Sequence, residues 1–114
     1  MNGKEPLINK LVDEIKAGYK PEKIILFGSY AWGKPDEESD IDLLIIKQSE
    51  KPFHKRWSDV CRLVSGLRRG IAFSPFVITP EELQKRLDMG DQFFKKIINE
   101  GEVIYDGTRI SKTE

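Results

Sequence analysis

The sequence of 114 residues has little of several features that would point to a specialised class of protein. Its single cysteine, Cys61, excludes an internal disulfide and favours a reducing compartment. Nineteen basic and nineteen acidic side chains leave no net charge, which excludes the strongly basic balance of many nucleic-acid-binding proteins. No apolar run approaches the roughly 20 residues of a membrane-spanning helix, and the first residues lack the apolar segment of a secretory signal. We therefore expect a soluble, cytoplasmic protein without a membrane association.

The length and the predicted elements fit one domain in which helices cover a sheet. The length is typical of a single domain, so we expect one over 1–114, with a flexible tail at 107–114. The apolar spacing predicts helices at 6–17, 53–69, from 79 and around 91–98, and strands at 23–27, 40–47, within 71–78 and at 103–105. Pro75 makes its strand an edge strand, a bulged strand or a strand that begins at 74–75. The alternation of elements indicates an α/β fold, in which helices cover a sheet.

Gly28 and Ser29 follow the predicted strand 23–27 directly and precede a short helical turn that Gly33 closes. Glycine lets the backbone turn sharply and lets a ligand approach it closely. The free amides at the start of a helix attract an anion, and the Ser29 hydroxyl adds a hydrogen-bond donor. The Gly-Ser turn is therefore a candidate phosphate site.

Asp40 and Asp42 stand two residues apart at the beginning of the predicted strand 40–47. Their side chains share one side of the strand, about 6.8 Å apart at Cα, while Ile41 points into the core. Carboxylate oxygens bind hard divalent cations, which neutralise the repulsion between the two charges. We therefore regard Asp40 and Asp42 as candidate metal ligands and catalytic residues.

The Gly-Ser turn and the Asp pair are joined by a loop at 34–39 and together suit phosphoryl or nucleotidyl transfer. Either feature alone is common in a purely structural role. Their order, with each at a predicted strand boundary, favours the functional interpretation.

The segment from Phe27 to Gly33, followed by Ser39-Asp40-Ile41-Asp42, closely resembles the signature of the minimal nucleotidyltransferases. These are small members of the DNA polymerase β superfamily, with the pattern Gly-Ser-x-x-x-Gly and then Ser-Asp-x-Asp-Leu. Later landmarks at 79–82 and 101–105 extend the resemblance over residues 7 to 105. It implies a nucleotidyltransferase fold with a small mixed sheet flanked by helices. It also implies two Mg²⁺ ions on the Asp pair, and ATP or another nucleoside triphosphate held by the Gly-Ser turn, with Ser39 and Lys34 as further nucleotide contacts.

Two positions depart from the pattern that the resemblance implies. The family carries a third carboxylate that helps to activate the acceptor hydroxyl, and its position here is Ser74. A serine is neither a base near neutral pH nor a good metal ligand, so one Mg²⁺ ion instead of two becomes an alternative. Trp32 stands where many relatives have arginine, which removes one phosphate contact.

The resemblance also implies a protein partner, since small relatives of this kind often pair with a HEPN-domain protein as antitoxins. A homo-oligomer is the alternative. The first hypothesis for the function is an enzyme that transfers a nucleotidyl group, AMP, from MgATP to an acceptor such as that partner. The second is a catalytically weakened module that binds nucleotide or a partner protein, since Ser74 replaces the third carboxylate.

The remaining candidate residues favour ordinary structural roles. We expect His54 at the surface, Cys61 in the core, and the aromatic side chains of helices in the core or at an interface, namely Trp57, Phe93 and Phe94. The basic residues around helix 53–69 favour a solvated face over an RNA-binding surface, namely Lys51, Lys55, Arg56, Arg62, Arg68 and Arg69.

Overall fold

The computed structural model describes residues 5–33, 40–67 and 72–107. The helices are α1 (Glu5–Tyr19), α2 (Phe53–Leu63), α3 (Pro80–Asp88) and α4 (Gln92–Glu100). The strands are β1 (Lys23–Phe27), β2 (Ile41–Ile46), β3 (Phe73–Ile78) and β4 (Glu102–Asp106), and a single 3₁₀ turn at Gly28–Tyr30 follows β1. Of the predicted tail, only Gly107 falls within the described ranges. Within them no helix has the length and apolar character needed to cross a membrane.

The four strands form one mixed sheet in the order β3-β2-β1-β4. β1 pairs antiparallel with both β2 and β4, while β2 and β3 run parallel with α2 as the connection between them. This is the small mixed sheet flanked by helices that the family resemblance implied. The topology brings the end of β1 and the starts of β2 and β3 to the same end of the sheet.

Two apolar layers lie on opposite faces of the sheet. On one face, α1 and α2 pack on the side chains of Ile41, Leu43 and Ile45, all fully buried. On the other face, α3 and α4 cover Leu44 and Ile46. The strict alternation along β2 follows from the two-residue period of a strand, and it places Asp42 on the α3/α4 face.

Helices α3 and α4 each begin after a residue whose side chain caps the first turn. Thr79 caps α3 in a full capping box, since its hydroxyl accepts from the Glu82 amide and the Glu82 carboxylate accepts from the Thr79 amide. Asp91 caps α4 through hydrogen bonds from the amides of Phe93 and Phe94.

Among the described strands, β3 lies at the edge of the sheet, which is one of the alternatives raised by Pro75. The amide of Ile41 donates to Ala72, and that of Lys47 donates to Ile78, so the even-numbered carbonyls of β3 face β2. Pro75 therefore has its nitrogen on the open side, where no ladder bond is lost.

Two predictions around α2 are wrong. The helix ends at Leu63 and not at residue 69, because Val64 leaves the helical conformation ahead of Gly66. Arg56 does not belong to a solvated face, since it is only 6% exposed. Lys51, Lys55 and Arg62 are exposed as predicted, and Arg68 and Arg69 lie outside the described residues.

The other structural expectations hold in most cases. His54 is exposed and Cys61 is buried. Phe94 is buried in the core, whereas Trp57 and Phe93 are about half exposed.

Candidate active site

The turn after β1 is built around Gly28, which has a φ of +77°. Its carbonyl accepts hydrogen bonds from the amides of Ala31 and Trp32 at 3.0 and 2.9 Å, which closes the 3₁₀ turn. A Cβ atom at Gly28 would overlap the Asp42 carboxylate. Glycine is therefore required twice, by the backbone conformation and by the contact with Asp42.

The two carboxylates lie at the start of β2, beside this turn. Asp40 is exposed and immediately precedes the strand, and Asp42 is partly buried as its second residue. Asp42 is the direct antiparallel partner of Phe27, the residue before Gly28. Pairing of β1 with β2 thus brings together the turn and the carboxylates that the sequence identified separately.

Ser74 completes this end of the sheet. It is the parallel partner of Asp42 on β3, and its hydroxyl donates a hydrogen bond of 3.1 Å to Oδ2 of Asp40. Among the residues that the structure describes, no three Asp, Glu, His or Cys side chains come together to hold a metal ion. The place next to the Asp pair therefore holds a hydroxyl group and not a third carboxylate.

Burial, and to a lesser extent the neighbouring charge of Asp40, together raise the pKa of Asp42 to about 6. The folded state binds the proton more tightly than the unfolded chain, whose pKa is near the ordinary 3.8. Stability therefore falls as the pH rises from about 4 to 6, where the carboxylate becomes charged in its partly buried site.

We predict that Asp42→Asn stabilises the metal-free protein. Removal of the charge should raise the free energy of unfolding at pH 7.5 by about 1 kcal/mol. This is well below the free energy that corresponds to the whole pKa shift, because the Asp42 carboxylate is partly hydrated. Urea unfolding in EDTA measures this, with little difference between the proteins expected at pH 4. A variant that is less stable than wild type at pH 7.5 would contradict the prediction.

The donor set fits magnesium. Both carboxylates offer hard oxygen ligands at the start of β2. Mg²⁺ usually takes one or two carboxylates together with substrate phosphates and water. Asp40 and Asp42 are the described residues that would hold the ion, next to the turn that would hold phosphate. The two other predicted nucleotide contacts, Lys34 and Ser39, lie outside the described residues.

A cation that no sequence motif indicates lies over Trp32, which follows the Gly-Ser turn in the chain. The Trp32 indole N–H donates to the Glu100 carbonyl at 3.0 Å, which ties the turn to the end of α4. The Lys96 ammonium lies 4.4 Å from the centre of the indole ring. The tryptophan thus positions a positive charge on α4. Because the two residues are 64 positions apart, no local pattern could have paired them.

Comparison with known proteins agrees with this architecture. The family described as polymerase beta, nucleotidyltransferase matches residues 9–109. A Methanocaldococcus jannaschii protein, named as a candidate protein adenylyltransferase, is 34% identical over 103 residues, covering 89% of this chain and 97% of its own. A second protein of that organism with the same description is 31% identical over 91 residues, covering 80% and 82%.

One solved structure shares the fold. It is a chain from a mutant form of the toxin–antitoxin MntA–HpeT, with a TM-score of 0.58 and 21% identity, covering 87% of this chain and 72% of that one. The mixed sheet with its flanking helices is thus a nucleotidyltransferase fold. The chain belongs to the polymerase β nucleotidyltransferase family, as the sequence resemblance indicated.

Proposed function

We propose that the protein transfers AMP from MgATP to a hydroxyl group of an acceptor. The observation that carries the proposal is the meeting of the Gly28 turn with the carboxylates of Asp40 and Asp42 at one end of the sheet. Magnesium bound there would neutralise the phosphate charge and polarise the α-phosphate. The Gly-Ser turn would orient the triphosphate.

In the proposed reaction the acceptor oxygen forms a bond to the α-phosphorus. The bond from that phosphorus to the oxygen bridging the β-phosphate breaks, and pyrophosphate leaves. The proton of the acceptor passes to water, because Ser74 cannot take it at neutral pH. The reaction is therefore expected to be slower than with a carboxylate at position 74.

The proposed acceptor is a partner protein of the HEPN class. This rests on the resemblance to minimal nucleotidyltransferases described above. It is supported by the names of the relatives, which describe candidate protein adenylyltransferases, and by the toxin–antitoxin that shares the fold.

Calorimetric titration with MgATP tests the proposal. We expect wild type to bind MgATP and to lose binding in EDTA, and Asp42→Asn to weaken binding by at least about tenfold, since a metal ligand is lost. Asp13→Asn is the matched control, because it makes the same change at an exposed position of α1. Binding that is equal in all three proteins would contradict the proposed site.

Ser74 favours a second candidate function. In it, the chain binds MgATP through the same residues but acts only by binding a partner protein, without transfer. Measurement of pyrophosphate release separates the two. Release above background that depends on Asp42 supports the enzyme, whereas MgATP binding without release supports the binding module.

A further inference from the structure

A groove of about 720 Å³ lies beside the candidate active site, along the open edge of the sheet. Its walls come from the start of α2, the second half of β3, α3 and the first turn of α4. The volume is in the range of pockets that hold a nucleoside or another molecule of that size. None of the residues assigned above to phosphate or metal lines it.

The position of the groove relative to the carboxylates follows from the strand order. Phe76, which lines the groove, lies two residues after Ser74 on β3, so both side chains are on the same face, about 7 Å apart. Three features thus follow one another across two strand spacings, about 10 Å in all: the Gly-Ser turn after β1, the Asp pair at β2 and the groove at β3. The groove is therefore within reach of the base of a nucleotide whose phosphates lie at the turn and whose α-phosphate lies at the Asp pair.

The walls of the groove suit a flat, partly polar ring. Phe53 on α2 and Met89, which directly follows α3, are 46% and 68% exposed, large fractions for apolar side chains, and both line the groove. The Phe53 ring packs against Phe76 at 4.9 Å between centroids, which fixes its orientation. Lys85, which has no ion-pair partner among the described residues, adds a donor for the acceptor atoms of a base.

We propose that this groove holds the nucleobase of the donor nucleotide, with the ring against Phe53 and Met89. The inference rests on the proposed function, because it requires the triphosphate at the Gly-Ser turn. It adds a second binding region, which contributes affinity through stacking and is independent of metal.

Titrations with two probes separate the base from the phosphates. Wild type should bind MgATP more tightly than magnesium tripolyphosphate, which has the phosphates but no base. Phe53→Ala should weaken MgATP binding about tenfold or more, as expected for loss of a stacking contact, and should leave tripolyphosphate binding unchanged.

Trp57→Ala is the matched control. Trp57 lies one turn further along α2, is 45% exposed and does not line the groove, so this variant should bind both probes like wild type. The wild-type protein offers an independent readout, because it contains only two methionines. The Met89 methyl NMR signal should shift with MgATP and stay in place with tripolyphosphate.

The outcomes distinguish this inference from the proposed function. If wild type binds neither probe, both the proposed triphosphate site and the inference fail. If it binds both equally, or if Phe53→Ala binds MgATP like Trp57→Ala, only the groove assignment is overturned. It is also overturned if Phe53→Ala slows transfer to a protein acceptor without any change in MgATP affinity, since the groove then holds the acceptor.

Discussion

Replacing Ser74 by aspartate is expected to raise the rate of pyrophosphate release from MgATP by about 10²–10⁴-fold, the usual contribution of a general base. Ser74 already lies opposite Asp42 in the strand register, and its hydroxyl reaches the Asp40 carboxylate. A carboxylate at this position would therefore face the same space as the Asp pair. It could accept the proton of an acceptor hydroxyl or of water, and it could ligate a second metal ion.

The same substitution should change stability in a metal-dependent way. Ser74→Asp removes the hydrogen bond to Asp40 and adds a third negative charge beside Asp42, whose pKa burial has already raised. Repulsion among the three carboxylates should lower the melting temperature in EDTA, and excess Mg²⁺ should recover more stability in the variant than in wild type.

Ser74→Asn is the control, since it has nearly the shape of aspartate without the charge. Pyrophosphate release is measured for both variants with water as the acceptor, so no partner protein is needed. Equal rates for the two variants would show that position 74 does not limit the reaction. The binding-module function would then be favoured, because restoring the missing carboxylate would not restore chemistry.

Much of this site could be predicted from sequence because its parts lie at strand ends. Strands β1 and β2 are short runs of buried apolar residues, and the polar residues that follow or begin them stand out. Antiparallel pairing then forces Asp42 next to Phe27, and so next to Gly28. Local patterns were sufficient for the turn and the Asp pair, since a single pairing between β1 and β2 brings these two features together.

The end of α2 shows where the apolar period misleads. Val64 is fully buried and Leu67 packs on the core, although both follow the last helical residue, Leu63. Residues after the end of the helix therefore still pack into the same core. Periodicity reports which residues are buried, and it does not by itself report whether the backbone between them is helical.

Contacts between distant residues account for what the sequence could not predict. Arg56 looks like one of several exposed basic residues, and its partner Glu82 is 26 positions away. The groove at β3 combines residues from four elements, so its existence depends on the completed packing. Neither feature has a local signature.

Arg56→Met is expected to lower the free energy of unfolding by about 3 kcal/mol, the lower end of the range for breaking a buried ion pair. The guanidinium is almost fully buried and donates two hydrogen bonds to the Glu82 carboxylate, at 2.8 and 3.0 Å. It also donates to the carbonyls of Lys51 and Val77. The lower end applies because Glu82 is half exposed and regains water when Arg56 is removed.

The pair also makes stability depend on pH. The hydrogen bond from Arg56 lowers the pKa of Glu82 to about 2, below its ordinary value of 4.5. The stabilisation is complete above pH 4.5 and is lost as the pH falls through about 2, because the carboxylate must then take up a proton. Wild type should thus lose stability between pH 5 and 2 more steeply than Arg56→Met.

Lys55→Met is the matched control, one residue away on the exposed side of α2. Chemical denaturation at pH 7.5 should show it within about 0.5 kcal/mol of wild type, while Arg56→Met unfolds at clearly lower denaturant concentration. If the two variants were equally stable, the pair would contribute nothing beyond a surface ion pair. Since Arg56 connects α2 with α3 past the open edge of β3, a large effect would instead identify it as the contact that holds the two helical layers together there.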